Sequence, residues 1–372
     1  MACMKQVSPS IRSSSNPPEV AQSFANATKR KVEMPNKSKR GDNNSPEVAR
    51  STARATERKV ETPSKKKRGD DNDTDPSLSS RGQSSSEEET GICFLSGHYS
   101  RADFDNEYQL LHEIGDGGYG TVYAGQRHSD SLPVAIKCMP KETVKIGTFD
   151  IDGEKLQVPL EVLFMTAAAG PAGLAGKSAV IQLLDWYDLG VEIFLVMERP
   201  APCVDLCDYL KGNRGQLDEH KAKIIMKQLV EAAIEMHSMN MFHRDLKLEN
   251  ILIQTTSDGP RVRIIDFGCC CYAQDTPYHS FFGTYSCAPP EFFKTKRYEA
   301  LPTTVWQLGV LLFDLVDGST RLDTCDFIHS GMKINNELSH ECQDLLRMCL
   351  ALQSDKRATL EQIREHPWLS VE

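Results

Sequence analysis

No run of apolar residues in this sequence approaches the roughly 18 that a membrane-spanning helix needs, so we expect no membrane segment. The opening residues MACMKQVSPSIRSSS lack the apolar core of a secretory signal, and we expect none. The cysteines include no Cys-x-x-Cys pair, and the run Cys269-Cys270-Cys271 lacks the spacing of a zinc site. We therefore expect reduced thiols and a protein of the cytoplasm, the nucleus or both.

Aromatic residues are almost absent from residues 1–90, where Phe24 is the single one and Ser, Asn, Pro, Lys and Arg are abundant. A segment of this composition buries too little apolar surface to offset its ordering entropy, so we predict a disordered tail over residues 1–100. The tail contains a duplication, because residues 17–44 recur with changes as residues 45–72. Two copies are fewer than the about three that a solenoid needs, which favours a duplicated linker.

The sign of the net charge also changes at about residue 90. Residues 1–90 carry 17 Lys and Arg against 13 Asp and Glu, and the remainder carries 26 against 39. The basic cluster Lys65–Arg68 is typical of a nuclear-import signal, a nucleic-acid patch or plain solvated charge. Because the tail offers one aromatic side chain for base stacking, nucleic acid is the less favoured partner. The acidic body favours basic partners.

The texture changes at about residue 105, where short apolar and β-branched runs begin. The runs YQLLHEI, GTVYAG, PVAIKCM, IQLLDWY and IFLVME are separated by Gly, Asp and Ser turns and predict an antiparallel sheet. After residue 205 the spacing becomes helical, with one apolar face formed by Ile225, Leu229, Ala232 and Met236.

A buried helix is predicted for the apolar residues 304–316. The fold class is therefore α+β and bilobal within residues 105–370. We expect a small β-rich lobe over residues 105–197, a junction over 198–203 and a larger α-helical lobe over 204–370.

The segment IGDGGYGTV places glycines at 115, 117 and 120. A dinucleotide-binding turn continues as a helix, whereas TVYAG continues as a strand, which favours a glycine-rich hairpin whose N–H groups approach phosphates. Val122 would then lie over a base. Lys137 falls on a strand one hairpin later, where a buried lysine needs a counter-charge, and Glu161 is the favoured partner.

The strongest signal is FHRDLKLENIL (242–252) followed by IIDFGC (264–269). Together with the glycine hairpin and VAIK, these blocks make the chain from Gly115 to Trp368 resemble a eukaryotic protein kinase domain. HRDLK and Thr284 resemble the serine/threonine class.

The kinase resemblance implies ATP and Mg²⁺ as cofactors. It implies that Asp245 orients and deprotonates a hydroxyl nucleophile and that Lys247 stabilises charge on the transferred phosphoryl group. Asn250 and Asp266 would bind Mg²⁺, which prefers oxygen ligands. Lys137 and Glu161 complete the catalytic set.

The segment ERPAP (198–202) resembles the hinge of the PIM family of serine/threonine kinases, as do IQLLDWY, VWQLGVLLFDLVDG and SHECQDLLRMCLAL. This resemblance implies that Met197 is the gatekeeper, that Glu198 offers the hinge carbonyl, and that Pro200 removes the second hinge donor. The nucleotide contacts that it implies are Ile114, Gly115, Gly117, Gly118, Gly120, Val122, Ala135, Lys137, Met197, Glu198 and Pro200.

The same resemblance implies a preference for protein substrates with basic residues upstream of the acceptor. Asp205, Asp208 and Glu249 would bind those residues through charge-assisted hydrogen bonds, with Thr284 also in the substrate site. We expect Asp205 and Asp208, one helical turn apart, to share a face. An ordinary solvated helix face is the alternative.

Four positions depart from the PIM pattern, namely Leu248, Ser280, Phe282 and Arg321, whereas Thr304 stands where most kinases, though not PIM kinases, have a structural aspartate. Leu248 stands in place of an acid, and Ser280 and Phe282 stand where the family tends to have aspartates. We hypothesise that phosphorylated Ser280 restores activity lost with those acids.

Two further interpretations remain open, a pseudokinase scaffold and a nucleic-acid-binding arm that carries a kinase. The complete catalytic set argues against the first interpretation, and the scarcity of tail aromatics argues against the second. We expect a monomer.

Overall fold

A computed structural model describes residues 97–370, apart from residues 119, 152–153, 171–177, 318–320 and 332. The duplicated segment and the cluster Lys65–Arg68 lie outside the described residues, so the predictions about them stay predictions. None of the described helices has both the length and the apolar character that crossing a membrane requires.

The small lobe is built on antiparallel strands, as the alternating apolar runs predict. Its strands are β1 Tyr108–Gly117, β2 Gly120–Arg127, β3 Pro133–Pro140, β4 Ile146–Ile151, β5 Glu154–Pro159, β6 Leu183–Asp188 and β7 Glu192–Glu198. Five of them form one sheet in the order β1-β2-β3-β7-β6, and these are the five predicted runs. β4 and β5 form a separate hairpin, which the sequence pattern did not indicate.

Two α-helices lie in the described part of the small lobe, whereas the sequence predicted one. The predicted helix is α2 Leu160–Ala169, and the additional one is α1 Arg101–Glu107. Ser100 caps α1 by accepting a hydrogen bond from the Asp103 N–H. Phe104 is the one buried residue of α1, so the helix shows no apolar period in the sequence.

The predicted end of the tail at residue 100 is too late. The N–H of His98 donates to the Trp186 carbonyl at 3.2 Å, and the Asp188 N–H donates to the His98 carbonyl at 2.8 Å. His98 therefore pairs with the edge strand β6 of the small-lobe sheet.

The large lobe is mainly helical. Its helices are α3 Leu206–Gly212, α4 Glu219–Ser238, α5 Pro290–Thr295, α6 Ala300–Val316, α7 Thr324–Ser330, α8 His340–Cys349, α9 Leu360–Arg364 and α10 Pro367–Ser370. The predicted apolar face of α4 is buried, and α6 is buried along nearly its whole length, as its continuous apolar sequence predicts.

Five short strands flank the loops of the large lobe that face the small lobe. They are β8 Cys203–Asp205, β9 Met241–Phe242, β10 Ile251–Thr256, β11 Gly259–Ile264 and β12 Cys271–Tyr272. β10 pairs with both β8 and β11, and β9 pairs with β12. The segment 243–250 therefore lies between β9 and β10, and the segment 265–270 between β11 and β12, so the two meet beneath the small lobe.

Candidate active site

One face of the small-lobe sheet carries four of the eleven predicted nucleotide contacts. Val122 pairs with Lys137, and Ala135 pairs with Met197, so alternation along each strand places these four side chains on the same face. Lys137 and Met197 are buried, while Val122 and Ala135 are half-buried. This face therefore presents three apolar side chains beside one buried charge.

The glycine hairpin leaves open space for phosphates. A Cβ added at Gly117 or Gly118 would meet nothing within 4 Å. Gly120, in contrast, has φ +123°, and a Cβ there would lie 2.4 Å from the Cys138 carbonyl. The hairpin thus needs glycine at 120 for its backbone and offers a cradle at 117 and 118. Ile114, at the start of this loop, is 43% exposed.

Lys137 joins the two lobes through two carboxylates. Its Nζ lies 2.7 Å from Glu161 Oε1 on α2 and 2.8 Å from Asp266 Oδ1 beyond β11. Burial lowers the lysine pKa, but the two carboxylates more than offset that effect and raise it. Lys137 in turn holds the pKa of Asp266 below its ordinary value despite burial. Lysine and aspartate are therefore both charged at neutral pH.

Asp266 and Asn250 offer the oxygen atoms that a magnesium ion would bind. Asp266 has φ +62°, and its Oδ1 also accepts from the Gly268 N–H at 3.3 Å. The Asn250 side-chain nitrogen donates to the Asp245 carbonyl at 2.8 Å and to Asp245 Oδ2 at 3.1 Å. Because the amide nitrogen is engaged in this way, the Asn250 Oδ1 is the atom left for a cation. These donors fit Mg²⁺.

Besides Asn250, the buried Asp245 contacts Thr284 and Lys247. Its Oδ1 accepts from the Thr284 N–H at 2.8 Å, and its Oδ2 lies 3.4 Å from Lys247 Nζ. Lys247 Nζ also donates to Thr284 Oγ1 at 2.7 Å. Asp245, Lys247 and Thr284 thus form one hydrogen-bonded group at the mouth between the lobes.

Gln307 supports the segment 243–250, called here the catalytic loop, from α6. Sequence reasoning missed this role. Its Nε2 donates to the Arg244 carbonyl at 2.8 Å, and its Oε1 accepts from the Leu246 N–H at 3.4 Å. Gln307 is fully buried on α6. A polar residue inside a predicted buried helix must find partners, and this was the signal that could have identified it.

Thr304, on the same helix, does not contact that loop through any described hydrogen bond. Its Oγ1 donates to the Ala300 carbonyl and lies 2.8 Å from His237 Nε2.

Phe282 lies between two cations. The Arg244 Cζ is 4.7 Å and the Lys145 Nζ is 4.8 Å from the centre of its ring. Burial and the charge of Arg244 both lower the pKa of Lys145. The ring of Phe282 therefore links the loop before β4 to the catalytic loop through cation–π contacts.

The junction between the lobes follows β7. The side chain of Glu198 accepts from the Gln182 N–H at 2.8 Å and pairs with Arg263. Its side chain is thus committed to structure, so a ligand contact there falls to the backbone. Pro200 and Pro202 lie between β7 and β8, where the sequence placed the junction, and the Pro202 carbonyl accepts from the Thr255 N–H at 3.3 Å.

The structure places Asp205 directly before α3 and Asp208 in its first turn. Asp205 is the N-cap of α3, and its Oδ1 accepts from the Asp208 N–H at 2.8 Å. Asp208 Oδ1 is 2.6 Å from Lys211 Nζ. Glu249 Oε1 is 3.3 Å from the Cys207 thiol and faces α3 from the catalytic loop.

A comparison with protein families matches the description "Protein kinase domain" to residues 108–369. The chain belongs to the protein kinase family. The kinase is 36% identical over 278 residues to "Serine/threonine-protein kinase pim-2" of Danio rerio, a match that covers 74% of this chain and 88% of that relative.

Two other relatives are matched over less of their own length. "Serine/threonine-protein kinase prk-2" of Caenorhabditis elegans is 35% identical, with 74% of this chain and 61% of the relative covered. "Serine/threonine-protein kinase PSK2" of Saccharomyces cerevisiae is 27% identical, and this chain spans 25% of it. The kinase is accordingly a protein serine/threonine kinase.

The kinase contains a largely buried ion pair between Glu291 and Arg357. Arg357 Nη1 donates to Glu291 Oε1 at 2.8 Å, and Nη2 pairs with the second oxygen. This bidentate contact fixes the segment after Thr284 against the end of the domain.

Proposed function

We propose that the kinase transfers the γ-phosphate of ATP to serine or threonine in protein segments with basic residues upstream of the acceptor. The observation that carries this proposal is the assembled site, with Lys137 shared by Glu161 and Asp266 and with Asp245 bound to Thr284. In this proposal the site residues take the roles that we expect from the sequence.

Asp245 would accept the hydroxyl proton of the substrate as the new P–O bond forms. Lys247, 3.4 Å from Asp245, would place a positive charge beside the phosphoryl oxygens. Lys137 would bind phosphate oxygens beneath the open space at Gly117 and Gly118. Magnesium bound by Asp266 and Asn250 would neutralise the negative charge of the phosphates.

A PIM-like specificity is the finer part of the proposal. It is supported by the 36% identity to pim-2, by Pro200 in the junction, and by the acidic residues around α3. Proline at the hinge lacks an N–H, so adenine would receive one hinge hydrogen bond. Glu249 is the principal acid for a substrate arginine in this proposal, because Asp205 caps α3 and Asp208 is paired with Lys211.

The experiment is phosphate transfer from ATP·Mg²⁺ to a positional serine/threonine peptide library, with Asp266→Asn as the inactive control. Selection for arginine upstream of the acceptor, and its loss in Glu249→Gln, would support the proposal. Transfer without any basic preference would refute the PIM-like part and leave the kinase activity standing.

The proposal extends to the cell, where the kinase would act as a monomer in the cytoplasm or the nucleus. Import would depend on Lys65–Arg68. Substitution of these residues by alanine in a fluorescent fusion should reduce its nuclear fraction, and an unchanged distribution would remove the signal from the account.

A further inference from the structure

An arginine of the kinase itself lies among the acids next to the substrate site. Arg321 Nη1 is 3.9 Å from Asp314 Oδ2, and the Leu322 N–H donates to Asp314 Oδ1 at 2.8 Å. The side chain of Arg321 is 47% exposed, whereas that of Asp314 is 8% exposed. The guanidinium therefore lies at the solvent side of a nearly buried carboxylate.

The thiol of Cys207 shows that this arginine also reaches the proposed subsite of Glu249. Cys207 Sγ donates to Glu249 Oε1 at 3.3 Å. Burial raises the pKa of the Cys207 thiol to about 11, Glu249 raises it as well, and Arg321 lowers it through charge and a hydrogen bond. Arg321 and Glu249 thus act on the same sulfur atom.

The acids near Arg321 and the catalytic base Asp245 affect a second thiol, that of Cys287. Burial raises the pKa of Cys287 to about 12, and Asp314, Asp245 and Glu249 all raise it further. The three carboxylates therefore all act electrostatically on the same buried thiol.

The Asp314 carboxylate needs a cation. Burial raises its pKa to about 6, so at neutral pH it is charged in surroundings that penalise a charge. The guanidinium of Arg321 supplies the compensating charge. A substrate arginine would bring the same group to the same place.

We propose that Arg321 is a specificity-determining residue, a built-in arginine that occupies the acidic subsite formed by Glu249 and Asp314. A basic substrate side chain must displace Arg321 from this subsite. The inference rests on the proposed function, and it predicts that the kinase discriminates less sharply for basic substrates than its acidic surface suggests. The Arg321 side chain is half-exposed, which lets it move aside.

The test compares two peptides of identical sequence except for arginine or alanine at the upstream position that the library selects, or at the third residue before the acceptor if none is selected. Steady-state kcat/KM is measured for wild type, Arg321→Gln, Arg321→Lys and the control Arg347→Gln, which removes a charge from α8. Arg321→Gln should raise the arginine-to-alanine ratio of kcat/KM about tenfold, equal to ~1.4 kcal/mol. The increase should come from a lower KM for the arginine peptide.

The two other variants should keep the wild-type ratio, Arg321→Lys because it retains the charge and Arg347→Gln because it lies outside the subsite. Arg321→Met, which keeps the apolar stem, replaces Arg321→Gln if thermal unfolding shows that the latter is unstable.

An unchanged or lower ratio in an active Arg321→Gln protein would overturn the inference while leaving the proposed function intact. A lower ratio would mean that Arg321 orients the acids for the substrate. If neither wild type nor any variant transfers phosphate to either peptide or to the library, the proposed function fails and the inference fails with it.

Discussion

Gln307 Nε2 on α6 donates to the carbonyl oxygen of Arg244 at 2.8 Å, directly before the catalytic Asp245. Thr304 forms no described hydrogen bond to the catalytic loop. Among the described side chains of α6, Gln307 is therefore the one that hydrogen-bonds to the loop. We predict that Gln307→Met, which conserves volume, lowers kcat about tenfold and destabilises the fold by about 1–3 kcal/mol, since two buried backbone groups lose their partner. The KM for ATP should change less than twofold. Steady-state kinetics and urea unfolding measure both, and an unchanged kcat would show that the loop holds its shape without Gln307.

Phe282 bridges Arg244 and Lys145, and we expect its ring to keep residues 275–284, the activation segment, in place. Phe282→Leu should lower kcat several-fold, because a cation–π contact contributes about 0.5–2 kcal/mol. Phe282→Tyr retains a ring and should remain close to wild type. Peptide phosphorylation by the three proteins measures this effect, and equal rates for the leucine and tyrosine variants would contradict it.

Ser280 is exposed, two residues before Phe282, and the hypothesis that its phosphorylation raises activity has a simple test. An acid at this position would lie two residues from Phe282, whose ring contacts both Arg244 and Lys145. Ser280→Asp should therefore be more active than Ser280→Ala in the same peptide assay. A Ser280→Asp protein no more active than unphosphorylated wild type would count against the hypothesis.

Gly283 has φ +117°, and a Cβ there would lie 2.5 Å from the Arg244 carbonyl and 3.3 Å from Asp245 Oδ1. We predict that Gly283→Ala displaces the base and lowers kcat at least about tenfold, as small misplacements of catalytic groups do. Gly212→Ala is the control, because a Cβ there would meet nothing within 4 Å. A fully active Gly283→Ala enzyme would mean that the segment adapts without moving Asp245.

His237 links pH to stability. Burial lowers its pKa to about 4, and in the unfolded chain it returns to about 6.5. The unfolded state therefore binds the proton more tightly, so the stability from the neutral histidine is complete above pH ~6.5 and is lost as the pH falls toward 4. The loss is on the order of 3 kcal/mol. Urea unfolding of wild type and His237→Gln at pH 7 and pH 5 should show the smaller pH dependence in the variant, and equal dependence would contradict this assignment.

Much of this architecture can be predicted from local sequence patterns. The five strand runs, the helices around Ile225 and residues 304–316, and the counter-charge of Lys137 follow from periodicity and from the cost of burying a lysine. The roles of Gln307 and Arg321 do not, because they depend on which distant loop packs against α6. Asp205 illustrates the same limit, since a carboxylate that caps a helix has the same spacing as one on the helix face.

Phosphate transfer and nucleotide binding, measured on the same preparations, test the central claim most directly. Wild type should bind ATP·Mg²⁺, seen as a thermal shift, and transfer labelled phosphate to a serine peptide. Asp266→Asn should lose transfer, as should Asp245→Asn, which should still bind nucleotide. Nucleotide binding by wild type without transfer to any serine or threonine substrate would contradict the account and favour a scaffold.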